Sequence, residues 1–267
     1  MPAMAASRKQ QLLIPRLFHR VWLGGMMPDE FVRFGETWLE QNPGWEMRLW
    51  EESDFPPLRN QELYDTAENY AEKSDIVRFE LLLLYGGVYV DCDFECLRGI
   101  EEVLSGVEAF AAFENDAQVG TAIMGAVPGH PFVDYLVRSL PASVKENGRA
   151  DPVESTGPMF LTRCLADFDF TGMEPVKLFP ATLFYPYPWN QKYRRYERFD
   201  QAYAVHHWAG SWRPSSEPRL KRLVRSALMR SPITRWLFYA KASLRARVDR
   251  QRSAQATNTT NTPGPTA

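Results

Sequence analysis

The sequence predicts an α/β fold, a mixed sheet flanked by helices, and three observations carry that prediction. Strand-like and helix-like segments alternate from the first apolar run onward. Gly-Gly pairs stand where segments end, at Gly24-Gly25 and Gly86-Gly87. Two acids, Asp91 and Asp93, close the third strand pattern, at the kind of strand carboxyl end where α/β sheets bind ligands. At 267 residues, 13% of them aromatic, the chain is long enough to bury a sizeable core.

In order, residues 1–12 read as a polar, mobile start. Ile14 to Gly25 holds the first buried strand and its Gly-Gly turn. Asp29 to Glu40 is helical in pattern, with Phe31, Phe34 and Trp38 on one side. Asn42-Pro43-Gly44 breaks it, and Trp45–Trp50 is the second strand. An acidic loop, 51–57, leads to a helix over Glu62–Tyr70. Glu108–Phe113 and the small-residue run Val119–Ala126 are strands, separated by the polar Glu114-Asn115-Asp116. Pro128-Gly129-His130-Pro131 introduces a helix over Phe132–Leu140, with His130 as an entry residue. Thr156-Gly157-Pro158 introduces another over Met159–Leu165. Val176–Phe179 is a strand, and Phe184 to Trp189 is an aromatic, proline-rich loop whose rings suit either sugar faces or a core edge.

The centre of the pattern is Lys73 to Asp93. Ser74 is a candidate cap, Ile76, Phe79 and Leu83 recur at helical spacing, and Gly86-Gly87 stops the helix before Val88-Tyr89-Val90. In an extended chain Asp91 and Asp93 point to one side and Cys92 away. Asp75 and Arg78 share a helix face at i, i+3. The unit therefore brings three carboxylates and a guanidinium to one place, which suits a divalent cation and a phosphorylated ligand. Asp-x-Asp alone is a weak signal. A second copy, Asp167-Phe168-Asp169, lacks this context.

The string Ser74–Asp93 resembles the donor-site segment of the DXD-containing, sugar-binding-region glycosyltransferases. These comprise yeast initiating mannosyltransferase-like and bacterial capsular polysaccharide enzymes and, more distantly, clostridial glucosylating toxins. The resemblance extends over roughly residues 13–212. It implies a GT-A-type, Rossmann-like domain, a nucleotide-sugar donor, Mn²⁺ or Mg²⁺, and retention of anomeric configuration. By position, Trp22 before Gly24-Gly25 takes a base-stacking role, although a tryptophan there also suits a core. His19 is read as structural. The segment around Thr121 lies near the donor sugar in these families, often with Asn in its place.

The closing string Val205-His206-His207-Trp208-Ala209-Gly210-Ser211-Trp212 resembles the family's C-terminal motif. On that alignment His207 joins Asp93 and Asp91 as a metal ligand, with His206 facing the other way. A hard cation on oxygens and one imidazole suits Mn²⁺ better than zinc. Ser211 and Trp212 close over the diphosphate and exclude water. Asp91 holds ribose or sugar hydroxyls, and Arg78, oriented by Asp75, contacts phosphate or sugar. Asp91, Asp93 and Arg78 are thus the expected catalytic set, with no separate base.

The implied acceptor is a glycan or lipid-linked saccharide of polysaccharide assembly. A protein acceptor or a non-catalytic sugar-nucleotide scaffold is the alternative, and no nucleic-acid partner is expected. A phosphatase would need an acidic motif where the first strand ends in Trp-Leu-Gly-Gly.

Charge is divided unevenly. Residues 213–252 hold 12 Lys and Arg against 2 acids, a net +10, whereas residues 1–212 carry −12. The leucines and aromatics among those arginines predict basic amphipathic helices, for which an anionic membrane surface is the expected contact through 217–252. Residues 253–267, rich in Ser, Thr and Asn, are expected to be disordered. Three cysteines form no disulfide framework, and Cys92 and Cys96 lack partners for a zinc site. With no signal-peptide pattern or membrane-length apolar run, the expected location is cytoplasmic, peripheral on the inner membrane face.

Overall fold

The computed structural model describes residues 11–210. The sequence expectations for Ser211, Trp212, the basic extension 213–252 and the tail 253–267 lie outside those residues. Among the described residues, eight strands and seven α-helices run in the order β1 (Leu17–Val21), α1 (Asp29–Gln41), β2 (Glu46–Trp50), α2 (Gln61–Asp65), α3 (Tyr70–Tyr85), β3 (Gly87–Val90), β4 (Phe94–Cys96), β5 (Ala109–Phe113), β6 (Val119–Ala126), α4 (Pro131–Asn147), α5 (Pro152–Ser155), α6 (Pro158–Asp167), β7 (Lys177–Phe179), α7 (Ala181–Phe184) and β8 (Ala204–His206). Six strands form a sheet in the order β2-β1-β3-β6-β5-β7, and β4 pairs with β8 in a separate two-stranded ribbon.

The sheet is mixed, as expected for a GT-A-type domain. β1 runs parallel to both β2 and β3, β6 is antiparallel to β3 and β5, and β5 is parallel to β7. Every residue of β3 and β6 is buried, because layers cover both faces of the sheet. On one face α3, α4 and α6 pack Ile76, Phe79, Leu136 and Phe160 against Tyr89 and Met124. On the other, Trp38 of α1 joins Phe94, Phe184 and Ala204 over Phe18, Val88, Val90 and Ile123. Alternation along β3 therefore divides Tyr89 from Val88 and Val90.

The central helix is longer than its apolar period suggests. It starts at Tyr70, capped by the Asn69 side chain accepting from the Glu72 N–H, rather than at Ser74. The predicted 62–70 helix is accordingly only α2, which ends at Asp65. Gly86, at φ 64°, ends α3 as expected. Its carbonyl accepts a 2.8 Å hydrogen bond from His19 Nε2, and His19 Nδ1 accepts from Trp50 Nε1 at 3.0 Å. Burial lowers the His19 pKa to about 4, so the ring is neutral and structural. His130 caps α4 through Nδ1, which accepts from the Phe132 N–H at 3.2 Å.

Two compact units divide the chain. The larger comprises the sheet and helices up to Pro188 together with 200–210, and the described part of the smaller is Trp189–Phe199. Trp189–Tyr196 forms 3₁₀ turns, and Arg194 pairs with Glu197 at 3.0 Å. No helix among the described residues is long and apolar enough to cross a membrane.

Candidate active site

The two aspartates leave β3 through a tight turn, not along an extended strand. The Phe94 N–H donates to the Asp91 carbonyl at 3.1 Å, closing a four-residue turn around Cys92 and Asp93. The acids still converge. Asp91, Asp93 and His206 each offer a ligand atom, all within 4.8 Å of one another. The β4–β8 ribbon, absent from the sequence reading, makes this possible by pairing Phe94 with His206.

The histidine assignment is corrected accordingly. His206 Nε2 lies 3.1 Å from Asp93 Oδ1 and 3.9 Å from Asp91 Oδ2. His207 Nε2 instead meets Glu95 Oε2 at 2.8 Å, and its ring stacks on Phe34 at 4.4 Å. The cause is strand parity, since neighbouring residues of a ribbon face opposite ways. The His206 ring is held by stacking on Phe94 at 4.9 Å and by Trp208 at 4.2 Å. Trp208, at φ 53°, is the one non-glycine residue with positive φ among the described residues. The bend it makes brings the Ala209 N–H to Asp93 Oδ2 at 2.7 Å.

Electrostatics separates the carboxylates. Burial alone would raise the Asp93 pKa, but His206 and the Ala209 N–H hold it well below the usual range. His206 is affected in reverse: burial lowers its pKa, and Asp93 outweighs that to raise it. Asp91 Oδ1 accepts from the Tyr89 hydroxyl at 2.9 Å and lies 3.3 Å from Arg78 Nη1.

Arg78 is buried, so it faces the site from behind. Its guanidinium lies over the Tyr89 ring at 4.4 Å, donates to the Thr121 carbonyl at 2.7 Å and pairs with Asp75 at 3.1 Å. Asp75 also accepts from Thr156 Oγ1 at 2.9 Å, with Thr121 Oγ1 at 3.5 Å. Burial drives the Asp75 pKa up to about 6 despite Arg78 and Thr156. The structure thus brings Asp75, Arg78, Asp91 and Asp93 into one network.

Trp22 sits where β1 ends, beside the aspartate turn. It is partly buried, edge-on to Phe31 at 5.7 Å, and its indole N–H donates to the Gly25 carbonyl at 3.0 Å. The Cys92 thiol reaches the neighbouring Val21 carbonyl at 3.3 Å.

The sequence reading missed Glu114, at the end of β5, which feels both His206 and Asp91. Burial pushes its pKa up to about 7. It also missed Tyr185, edge-on to His206 at 5.6 Å. The hydroxyl of Tyr185 occupies the space a side chain on Gly120 would need. A lone acid in a polar loop and one tyrosine among many carry no sequence signal for these positions.

Two carboxylates and an imidazole, backed by a buried arginine–aspartate pair, define a domain equipped for a cation and an anionic ligand. The oxygen-rich donor set fits a hard divalent ion. Residues 28–110 match the family model described as the glycosyltransferase sugar-binding region containing DXD motif. Asp91-Cys92-Asp93 is the Asp-x-Asp that lies within the matched region. The chain is 25% identical to an uncharacterised glycosyltransferase of Acanthamoeba polyphaga mimivirus, over 76% of this chain and 85% of that one. It is 29% identical to inositol phosphoceramide mannosyltransferase 3 of Schizosaccharomyces pombe, over 57% of this chain but only 45% of the yeast protein. Among solved structures it is similar to the PaToxG glycosyltransferase, with 16% identity, a TM-score of 0.47, and coverage of 57% of this chain and 69% of that one.

Proposed function

We propose that this protein is a metal-dependent, retaining hexosyltransferase that moves a sugar from a UDP- or GDP-sugar to a glycan or lipid-linked saccharide. The observation that carries the reading is the convergence of Asp91, Asp93 and His206 within 4.8 Å. In it, these three side chains hold Mn²⁺ or Mg²⁺, and the ion supplies Lewis-acid neutralisation of the diphosphate leaving group. Asp93, kept ionised by His206 and the Ala209 N–H, is the anchoring carboxylate. Asp91 faces the solvent side with its side chain 27% exposed, and holds donor hydroxyls while Tyr89 and Arg78 fix its orientation. Arg78 and Asp75 shape the donor-sugar pocket from behind. Trp22 offers a ring face to the base. Same-face attack leaves the acceptor proton to the departing phosphate, so no protein base is assigned.

Donor hydrolysis or transfer should disappear in EDTA and return with Mn²⁺, and Asp93→Ala should fold but be nearly inactive. Full activity of Asp93→Ala in chelator would overturn the reading.

The yeast relatives are named for a lipid acceptor, which supports a lipid-linked one here. The +10 charge of residues 213–252 supports peripheral attachment to an anionic, cytoplasmic membrane face. Full-length protein should co-sediment with anionic vesicles, less so as salt rises. Indifference to such vesicles at low salt would remove the membrane assignment.

A further inference from the structure

Arg20, in the middle of β1, takes no part in the function proposed above, yet its surroundings are unusual. Its side chain is almost fully enclosed, at 3% exposure, and makes no ion pair with a carboxylate among the described residues. Its Nε is buried without a hydrogen-bond partner. Leaving a guanidinium inside a protein in this state is costly, and such groups persist where they do something a hydrocarbon cannot. The position is also built for it. A Cβ on Gly35 of α1 would collide with Arg20 Nη1, so only glycine at that helix position leaves room for the guanidinium.

What the guanidinium holds is specific. Nη2 donates to the Phe31 carbonyl in α1 at 2.7 Å and to the Cys92 carbonyl at 2.7 Å. Cys92 stands between the two aspartates, in the turn closed by the Phe94 N–H on the Asp91 carbonyl. In such a turn the first and last residues are fixed by that hydrogen bond, and the central peptide is the part that can flip. The carbonyl of that central peptide is Cys92 O. Its direction determines how the backbone enters Asp93, and hence where the Asp93 carboxylate emerges.

We infer that Arg20 is a positioning residue that locks the central peptide of the Asp91–Phe94 turn and so presets the two carboxylates for a divalent cation. The cation arm of this inference rests on the metal site proposed above, whereas the turn lock does not. A charge-assisted hydrogen bond to a carbonyl suits the task, being stronger than a neutral one and anchored at its other contact on a rigid helix. The positive charge behind the turn also stabilises two neighbouring carboxylates while no cation is bound.

The test uses the full chain without metal and then with Mn²⁺ alone. Arg20→Met removes charge and donors at similar length, and Arg20→Lys keeps the charge but loses the fork. Amide exchange at Phe94, taken relative to Val90 in β3 so that global opening cancels, should be about tenfold faster in Arg20→Met and several-fold faster in Arg20→Lys. Mn²⁺ affinity measured by calorimetry should fall about tenfold and several-fold in the same order. A folded Arg20→Met with unchanged Phe94 exchange would overturn the lock. If Arg20→Met does not fold, unchanged exchange in Arg20→Lys overturns it instead. Should wild-type protein bind no Mn²⁺, the metal reading fails, and the exchange ratio still decides the lock. Accelerated exchange with undiminished Mn²⁺ affinity in both variants would refute the presetting role.

Discussion

Asp75→Asn tests whether the buried acid behind the site is kept at a cost to stability. Asp75 is enclosed by Arg78, Thr156 and Thr121, and its pKa stands at about 6 against an ordinary 3.8. A carboxyl raised in this way binds more protons folded than unfolded between those two values, so stability falls as pH climbs through that window. About two pKa units at 1.36 kcal/mol each amount to a loss on the order of 3 kcal/mol, complete above pH 6 and absent below about pH 4. Asparagine has a similar shape and no titration. Urea denaturation of both proteins across pH 4–7.5 should therefore show the variant gaining about 3 kcal/mol relative to wild type as pH rises. Other titrating groups cancel in the difference. A wild-type-minus-variant stability that does not change with pH would refute the assignment of a strained, ionised Asp75. Loss of donor binding in the stabilised variant would show what that cost serves.

Two further outcomes follow from the site geometry. His206→Gln should lower Mn²⁺ affinity at least tenfold, whereas His207→Gln, which loses the Glu95 contact and the stacking on Phe34 but no contact with the acid pair, should stay within about twofold; calorimetry giving the reverse order would restore His207 as the ligand. Trp22→Ala should weaken nucleoside-diphosphate binding by roughly 1–3 kcal/mol. An unchanged affinity, with an unchanged melting temperature, would remove the ring from the nucleotide site.

The parts of this molecule legible in the sequence are those encoded locally. The α3–Gly86–β3 unit could be read because an apolar helix, a positive-φ glycine and a β-branched run lie consecutively in the chain. Asp75 and Arg78 could be grouped because helical spacing alone places them on one face. α3 starts ahead of the expected Ser74 cap because the Asn69 side chain accepts the Glu72 N–H, a contact that only the folded backbone shows. β4 and β8 are three residues each, too short to produce a period.

The histidine pair shows where local reading ends. His206 and His207 are adjacent, equally basic in isolation, and equally compatible with the closing motif. Which one reaches Asp93 depends on the register of β8 against β4, a pairing between residues 112 apart in the chain. A slip of one residue would exchange the two imidazoles between the acid pair and Glu95. That register is pinned by contacts outside both strands: the His207 N–H donates to the Asp93 carbonyl at 3.0 Å, and the Trp208 indole N–H to the Tyr187 carbonyl at 3.0 Å. Arg20 belongs to the same class, because its significance lies in a carbonyl 72 residues away. The acids of this site are thus written in one short string, while the groups that aim them come from β1, β6, β8 and the turn before α6, brought together only by the completed sheet.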